Sequence, residues 1–179
     1  MNAFEFKAEL LDGTEVPFTN FKGKTLLIVN TASKGQCKNE LLQLQMIQNK
    51  FKDNNFTILA FPCRQFLKQE SKNIEKIRHR YIEKARLSFP VFNLTKVNGS
   101  NAHPFFKWIK HQSHRSSGNS IDWNFTKFLV LGDGITVKRF SPTVGTEKII
   151  KSITEAIQYQ SSIELNQPLN NDENDFIDN

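Results

Sequence analysis

Leu26-Leu27-Ile28-Val29-Asn30-Thr31-Ala32-Ser33-Lys34-Gly35-Gln36-Cys37 begins as an apolar run and gives way to a polar loop of small residues. Residues 25–31 have the length and continuous apolar character of a strand buried on both faces of a parallel sheet. Beyond the loop, Leu41, Leu44, Ile47 or Gln48, and Phe51 recur at helical spacing. Leu42 and Met46 broaden that stripe, which predicts an amphipathic helix of about three turns. Strand, loop and helix in this order put the loop at the C-terminal edge of a sheet, where open α/β proteins place their sites. A helix start adds unpaired N–H groups and a positive dipole end, which lower the pKa of a nearby thiol toward the nucleophilic thiolate. Cys37, one of two cysteines in the chain, lies there.

Upstream, Phe4, Phe6, Ala8 and Leu10 alternate with polar residues, and Asp12-Gly13 supplies a turn before residues 15–18, which predicts an N-terminal β-hairpin. Downstream, residues 56–62 form a second buried strand ending in the polar loop Cys63-Arg64-Gln65-Phe66-Leu67-Lys68-Gln69-Glu70. Two strand-to-helix loops therefore point to one sheet edge. Residues 73–84 are charge-rich with Ile74, Ile77, Tyr81 and Ile82 as apolar positions, the pattern of a surface helix. A short extended piece at 89–92 and the Asn98-Gly99 turn precede a helix over 101–112 that buries Phe105, Trp108 and Ile109. Residues 111–120 read as a loop, 123–131 as a strong strand, and 135–140 as its hairpin partner after Gly132-Asp133-Gly134. The last helix, 146–158, carries Ile149, Ile150, Ile153, Ala156 and Ile157 on one face. With right-handed crossovers, this order gives a mixed central sheet with helices on both sides. The expected fold is α/β, a thioredoxin-like three-layer α/β/α sandwich with an N-terminal β-hairpin.

The length of 179 residues and 38% hydrophobic content suit one domain with a full core, expected over residues 1–160. Residues 161–179 are acidic and Asn/Asp-rich, and read as a disordered tail. The N-terminus lacks the pattern of a secretory signal, and no run approaches the roughly 18 apolar residues of a spanning helix. A soluble, cytoplasmic protein is expected. There is no CxxC and no Cys/His pair at zinc spacing, so no structural metal and no cofactor are expected. Net charge is +6, but residues 160–179 hold five acids and no Lys or Arg, which leaves 24 basic against 13 acidic residues, or +11, on the rest. That basic body is either a solvated lysine-rich surface or an attraction for an anionic partner such as an acidic thiol, a phospholipid headgroup or nucleic acid.

Four separated segments carry a family resemblance: Asn30-Thr31-Ala32-Ser33-Lys34; Phe61-Pro62-Cys63-Arg64-Gln65-Phe66 with Gln69-Glu70; Val97-Asn98-Gly99-Ser100-Asn101-Ala102-His103-Pro104; and Trp123-Asn124-Phe125-Thr126-Lys127-Phe128-Leu129-Val130. Together, in this order, they resemble the glutathione peroxidases over residues 4–158. The resemblance implies reduction of hydrogen peroxide or organic and lipid hydroperoxides by a cysteine or selenocysteine, supported by a Gln, a Trp and an Asn. By motif these are Gln69, Trp123 and Asn124. Indole and carboxamide N–H groups suit the role because they donate to a sulfur anion and a departing oxygen without titrating.

The nucleophile departs from the pattern. The family places its reactive residue directly after the Lys, and here Gly35 follows Lys34. Cys37 comes two residues later, about 3 Å further along a helix axis and rotated by roughly 200°. Two readings stand: either Gly35-Gln36 loop out so that Cys37 reaches the family position, or Cys37 is a small buried helix residue. On the second reading the chain is a catalytically degenerate relative acting as a redox-sensing or binding module.

Thioredoxin-dependent members carry a resolving cysteine in the helix after the Gln loop, where this chain reads Arg80-Tyr81-Ile82-Glu83. Cys63 remains as a possible partner for Cys37, or as a buried strand-end cysteine. The simplest cycle then uses two small thiols such as glutathione, with Lys34, Arg64, Lys68 and Lys127 as candidate substrate contacts. The short segment between Trp108 and Trp123 is similar to monomeric, phospholipid-hydroperoxide-type members. No functional role is expected for His79, His103, His111 or His114, nor specific nucleic-acid binding.

Overall fold

A computed structural model describes residues 1–113 and 118–165. Residues 166–179 of the expected tail, and 114–117 of the expected loop with His114, lie outside the described residues. The N-terminal hairpin pairs β1 (Lys7–Glu9) with β2 (Glu15–Pro17) antiparallel. Its turn is fixed by Gly13 at φ +86° and by Asp12 Oδ1, which accepts from the Thr14 backbone N–H at 2.9 Å. Strands β3 (Thr25–Thr31) and β4 (Phe56–Pro62) are buried throughout and pair in parallel. On the other side of β3, β5 (Lys127–Val130) pairs antiparallel, and β6 (Val137–Phe140) pairs antiparallel with β5. The sheet order is β4-β3-β5-β6.

Helices α1 (Cys37–Lys50), α2 (Ile74–Arg78), α3 (Pro104–Gln112) and α4 (Thr146–Leu165) complete the sandwich. Successive strand residues point to opposite faces of a sheet. Leu27, Val29, Ile58, Ala60 and Leu129 thus pack with Leu41, Leu44 and Ile47 of α1 and with Ile149, Ile153 and Ala156 of α4. Leu26, Ile28, Leu59, Phe61, Phe128 and Val130 face the second core, where α3 and the N-terminal segment meet. Much of the chain's phenylalanine is there: Phe18, Phe61, Phe92, Phe105 and Phe106 are each 0% exposed. Edge-on and stacked ring contacts hold them together, such as Phe18 with Phe105 at 4.9 Å and Phe61 with Phe92 at 4.6 Å.

The expected layers and order are present, with local differences. Residues 123–126 are not strand, because Phe125 takes φ +63° and β5 starts only at Lys127. Leu42 and Met46 do not broaden the buried stripe of α1; they are 51% and 68% exposed, since the contact with the sheet is one narrow row. Residues 73–84 are less superficial than their charge suggests. After α2 the backbone widens into a π-type turn over His79–Lys84, and Ile77 and Tyr81 are fully buried while Ile82 stays exposed. Helix α3 begins at Pro104 rather than 101, with His103 Nδ1 accepting from the Phe105 N–H as the cap and proline in the first turn. Helix α4 runs to Leu165, beyond the expected end of the domain.

Phe105→Ala is expected to destabilise the fold by about 3–5 kcal/mol, the usual cost of emptying a buried aromatic site. Urea unfolding of both proteins measures it. A loss under about 1 kcal/mol would show that the ring cluster does not hold α3 to the sheet.

Candidate active site

The loops after β3 and β4 meet at one sheet edge. The Lys34 N–H donates to the Gln69 carbonyl at 3.1 Å and joins them. Gly35 then takes φ +60°, in the left-handed region that favours glycine, and Gln36 follows at φ −69°, ψ −14°. The Cys37 N–H closes this turn on the Lys34 carbonyl at 3.2 Å, and α1 begins at Cys37 itself. Gly35 and Gln36 are exposed, whereas Cys37 is 8% exposed. A Cβ built on Gly35 would meet nothing within 4 Å. The loop therefore turns outward at 35–36 and inward at Cys37.

Cys37 Sγ lies 3.8 Å from Gln69 Oε1. The same oxygen accepts from Asn124 Nδ2 at 2.7 Å. Trp123, Glu40, Phe125 and Pro142 join these three residues in a cleft of about 200 Å³. Trp123 is 42% exposed, packs its ring against Phe66 at 6.1 Å, and its indole N–H has no hydrogen-bond partner among the described residues.

Left-handed backbone frames the two amides. Leu67 at φ +46° and Lys68 at φ +53° precede Gln69, and Phe125 at φ +63° follows Asn124. Such residues cost about 1–3 kcal/mol each and persist only where the surroundings enforce them. Phe125 is held at both its backbone polar groups, and the chain just before it is held as well. Its N–H donates to the Asn30 carbonyl at 2.7 Å, its carbonyl accepts from Lys127 Nζ at 2.9 Å, and Asn30 Nδ2 holds the Trp123 carbonyl at 3.1 Å. Asn124 Oδ1 is buried without a partner.

Glu70, which the sequence marks only as a motif letter, is fully buried behind the site. Its Oε1 accepts from Ser33 Oγ and from the Ser71 N–H, both at 2.7 Å, and its Oε2 accepts from the Tyr81 hydroxyl at 2.8 Å. Arg80 Nη1 stands 3.7 Å from the carboxylate and donates to Ser33 Oγ at 3.3 Å. One signal in the sequence could have found it: an acid in a loop that leaves a fully buried strand needs buried donors. Burial, and then the Glu70 charge, push the Cys37 thiol above its ordinary pKa. This corrects the expected lowering by the helix start, because the sulfur is desolvated and sits near a carboxylate.

Cys63 is also pushed up by burial, and it packs in the opposite core from Cys37, among Phe61 and Phe66. Both cysteines are free, and the sheet lies between their clusters, so the pairing left open by the sequence is not made. Of the four candidate basic contacts, Lys34 and Lys68 are exposed and joined to each other, Lys34 Nζ donating to the Lys68 carbonyl at 3.1 Å. Arg64 is half-buried, and none of these three lines the cleft. Lys127 is 5% exposed, is held below the ordinary lysine pKa by burial, and lines an adjoining recess. Among the described residues no helix is long and apolar enough to cross a membrane, and no group of His, Cys, Asp or Glu is placed to hold a metal ion.

The architecture is that of the thioredoxin fold: a thiol:disulfide interchange protein of the thioredoxin family from Chlorobium tepidum, only 16% identical, matches with a TM-score of 0.64 over 88% of this chain and 96% of its own. Within that fold the chain belongs to the glutathione peroxidase family, whose profile matches residues 3–110. The probable glutathione peroxidase 2 of Arabidopsis thaliana is 38% identical over 160 residues, 89% of this chain and 95% of the relative. A hydroperoxy fatty acid reductase of Synechocystis is likewise 38% identical, over 86% of this chain and 95% of its own. Among solved structures, apo Trgpx matches with a TM-score of 0.74 at 34% identity, over 88% of this chain and 96% of its own.

The iodoacetamide alkylation rate of Cys37, followed by mass spectrometry of its peptide across pH, is expected to rise with a midpoint above that of a free cysteine. Glu70→Gln is expected to move that midpoint down, because it removes a negative charge that disfavours the thiolate. A wild-type midpoint at or below free cysteine would show that the helix start outweighs burial.

Proposed function

We propose that the chain is a thiol-dependent peroxidase that reduces hydrogen peroxide and organic or lipid hydroperoxides through Cys37, with Gln69, Trp123 and Asn124 as supporting donors. The observation that carries this reading is the 3.8 Å approach of Cys37 Sγ to a Gln69 carboxamide already fixed by Asn124. Family membership supports the reaction class. The named activity of the Synechocystis relative, and the probable phospholipid hydroperoxide glutathione peroxidase of Nicotiana sylvestris, support the lipid arm.

The Cys37 thiolate attacks one peroxide oxygen; an S–O bond forms, the O–O bond breaks, and the departing oxygen takes a proton as water or alcohol. Cys37 is left as the sulfenic acid. A first small thiol displaces water to give a mixed disulfide, and a second releases the Cys37 thiol and leaves as a disulfide. While Cys37 is a thiol, its S–H donates to Gln69 Oε1. Once ionised, sulfur can only accept. A paired half-turn of the two carboxamides then presents Gln69 Nε2 to the sulfur and the unpartnered Asn124 Oδ1 to the other hydrogen of that amide. The free indole N–H of Trp123 adds a third donor without titrating.

The short segment between Trp108 and Trp123 favours a monomer, proposed to work in the cytoplasm from a domain that extends past the expected boundary at 160 to the end of α4 at Leu165. Glutathione or another thiol is the proposed reductant. A second reading, a redox-sensing module, is favoured by the raised pKa of Cys37, which leaves little thiolate at neutral pH.

Stopped-flow peroxide consumption separates the two. Cys37→Ser is expected to lower the rate by about 1,000-fold or more, as loss of a nucleophile does. Trp123→Phe is expected to cost on the order of 100-fold, the scale of one lost transition-state donor. Adding Gly35→Cys to Cys37→Ser should restore nothing, since a side chain at 35 meets no neighbour. Equal, slow rates for wild type and Cys37→Ser, with a fast Gly35→Cys, would overturn the reading.

A further inference from the structure

A hollow of about 360 Å³ opens between α1 and the widened turn at His79–Lys84. It shares no lining residue with the Cys37 cleft. Its volume lies at the small end of ligand sites, which run from roughly 300 to 1,000 Å³. Leu41 and Leu42, three and four residues after Lys38 on α1, give it an apolar floor, and Ala85 faces them from the end of the turn. Leu41 is buried, whereas Leu42 leaves half its surface to solvent.

The charged groups around this floor are of one sign. Lys38 and Lys84 are exposed, and their side chains make no hydrogen bond or ion pair among the described residues. Arg80 is half-buried; its Nη1 donates to Ser33 Oγ at 3.3 Å and stands 3.7 Å from the Glu70 carboxylate. A guanidinium carries five N–H donors in a planar fork that matches a carboxylate, so one anchored N–H leaves others for a ligand. No acid lines the hollow among the described residues. Glu83, the acid of the widened turn, is engaged by His79 at 2.7 Å and by Arg78 at 3.2 Å. A small inorganic anion would leave the leucines wet, and an uncharged chain would leave the cations without a partner. An aliphatic chain with an anionic head uses both.

We propose that this hollow binds a medium-chain aliphatic carboxylate, its head on Arg80 between Lys38 and Lys84 and its chain over Leu41, Leu42 and Ala85. The site goes beyond the peroxidase reading, since it is separate from the Cys37 cleft and binding needs neither a thiolate nor turnover.

NMR titration of the full chain with sodium octanoate is expected to show saturable shifts of the Leu41, Leu42 and Ala85 amides. Octanol, which keeps the chain without the charge, and acetate, which keeps the charge without the chain, are each expected to bind at least about tenfold more weakly. Arg80→Met should weaken octanoate about tenfold, the scale of one charge-assisted hydrogen bond. Because Arg80 also braces Glu70, the deciding variant is Leu42→Glu, which places an anion on the floor at an exposed helix position and should cost tenfold or more. Cys37→Ser should bind octanoate as the wild type does. Equal affinity for octanoate and octanol, unchanged affinity in Leu42→Glu, or lost binding in Cys37→Ser would overturn the site. So would retention on phosphatidylglycerol vesicles with no response to octanoate. Failure of the peroxidase reading would instead appear as peroxide consumption unaffected by Cys37→Ser, and would leave these affinities as they are.

Discussion

The site depends on one buried carboxylate. Glu70 is fully removed from solvent, and a charge in that position costs several kcal/mol unless every lone pair finds a donor. Ser33, the Ser71 amide and Tyr81 supply those donors, with Arg80 as counter-charge. They come from three stretches of chain. Ser33 belongs to the loop that leads to Cys37, Ser71 follows Gln69, and Tyr81 and Arg80 sit on the widened turn after α2. Satisfying one anion therefore fixes three segments relative to one another, and the 3.8 Å approach of Cys37 to Gln69 follows from that registration. The same charge disfavours the thiolate beside it, so the device that builds the site also restrains its sulfur.

Much of the fold is legible in the sequence because the two central strands are buried on both faces and leave unbroken apolar runs at 25–31 and 56–62. Turn chemistry does the same for the hairpins at Asp12-Gly13 and Asp133-Gly134. What escapes is whatever depends on a partner distant in sequence. Residues 123–126 have strand-like composition, and only the bonds from Asn30 and Lys127 hold Phe125 in a left-handed turn. Tyr81 reads as one apolar position of a surface helix, and its full burial with a hydroxyl on Glu70 comes with a π-type widening that periodicity does not signal.

The placement of Cys37 is the case between these extremes. Counting residues from the family pattern puts Gly35 where the sulfur belongs, and ideal helix geometry then turns Cys37 away. The chain instead uses the positive φ of Gly35 to make a separate turn, and the helix begins at Cys37. The glycine that stands at the family's nucleophile position makes the turn after which the Cys37 sulfur faces Gln69. Gln69, Trp123 and Asn124 were readable as motif letters, whereas the recess behind Pro142 was not, because Glu40 and Lys127, which both line it, lie 87 positions apart in the chain.

The segregation of the two cysteines into opposite cores has a consequence for an oxidised chain. A four-stranded sheet lies between them, so an oxidised Cys37 has no internal thiol to retreat to and cannot be parked as an intrachain disulfide. Its fate is a race between an external thiol entering the cleft and a second peroxide driving the sulfur to the sulfinic state, which ordinary thiols do not reverse. On the proposed mechanism, the working lifetime of each molecule would be set by the ratio of thiol to peroxide around it, a fuse that fails when the reductant runs short.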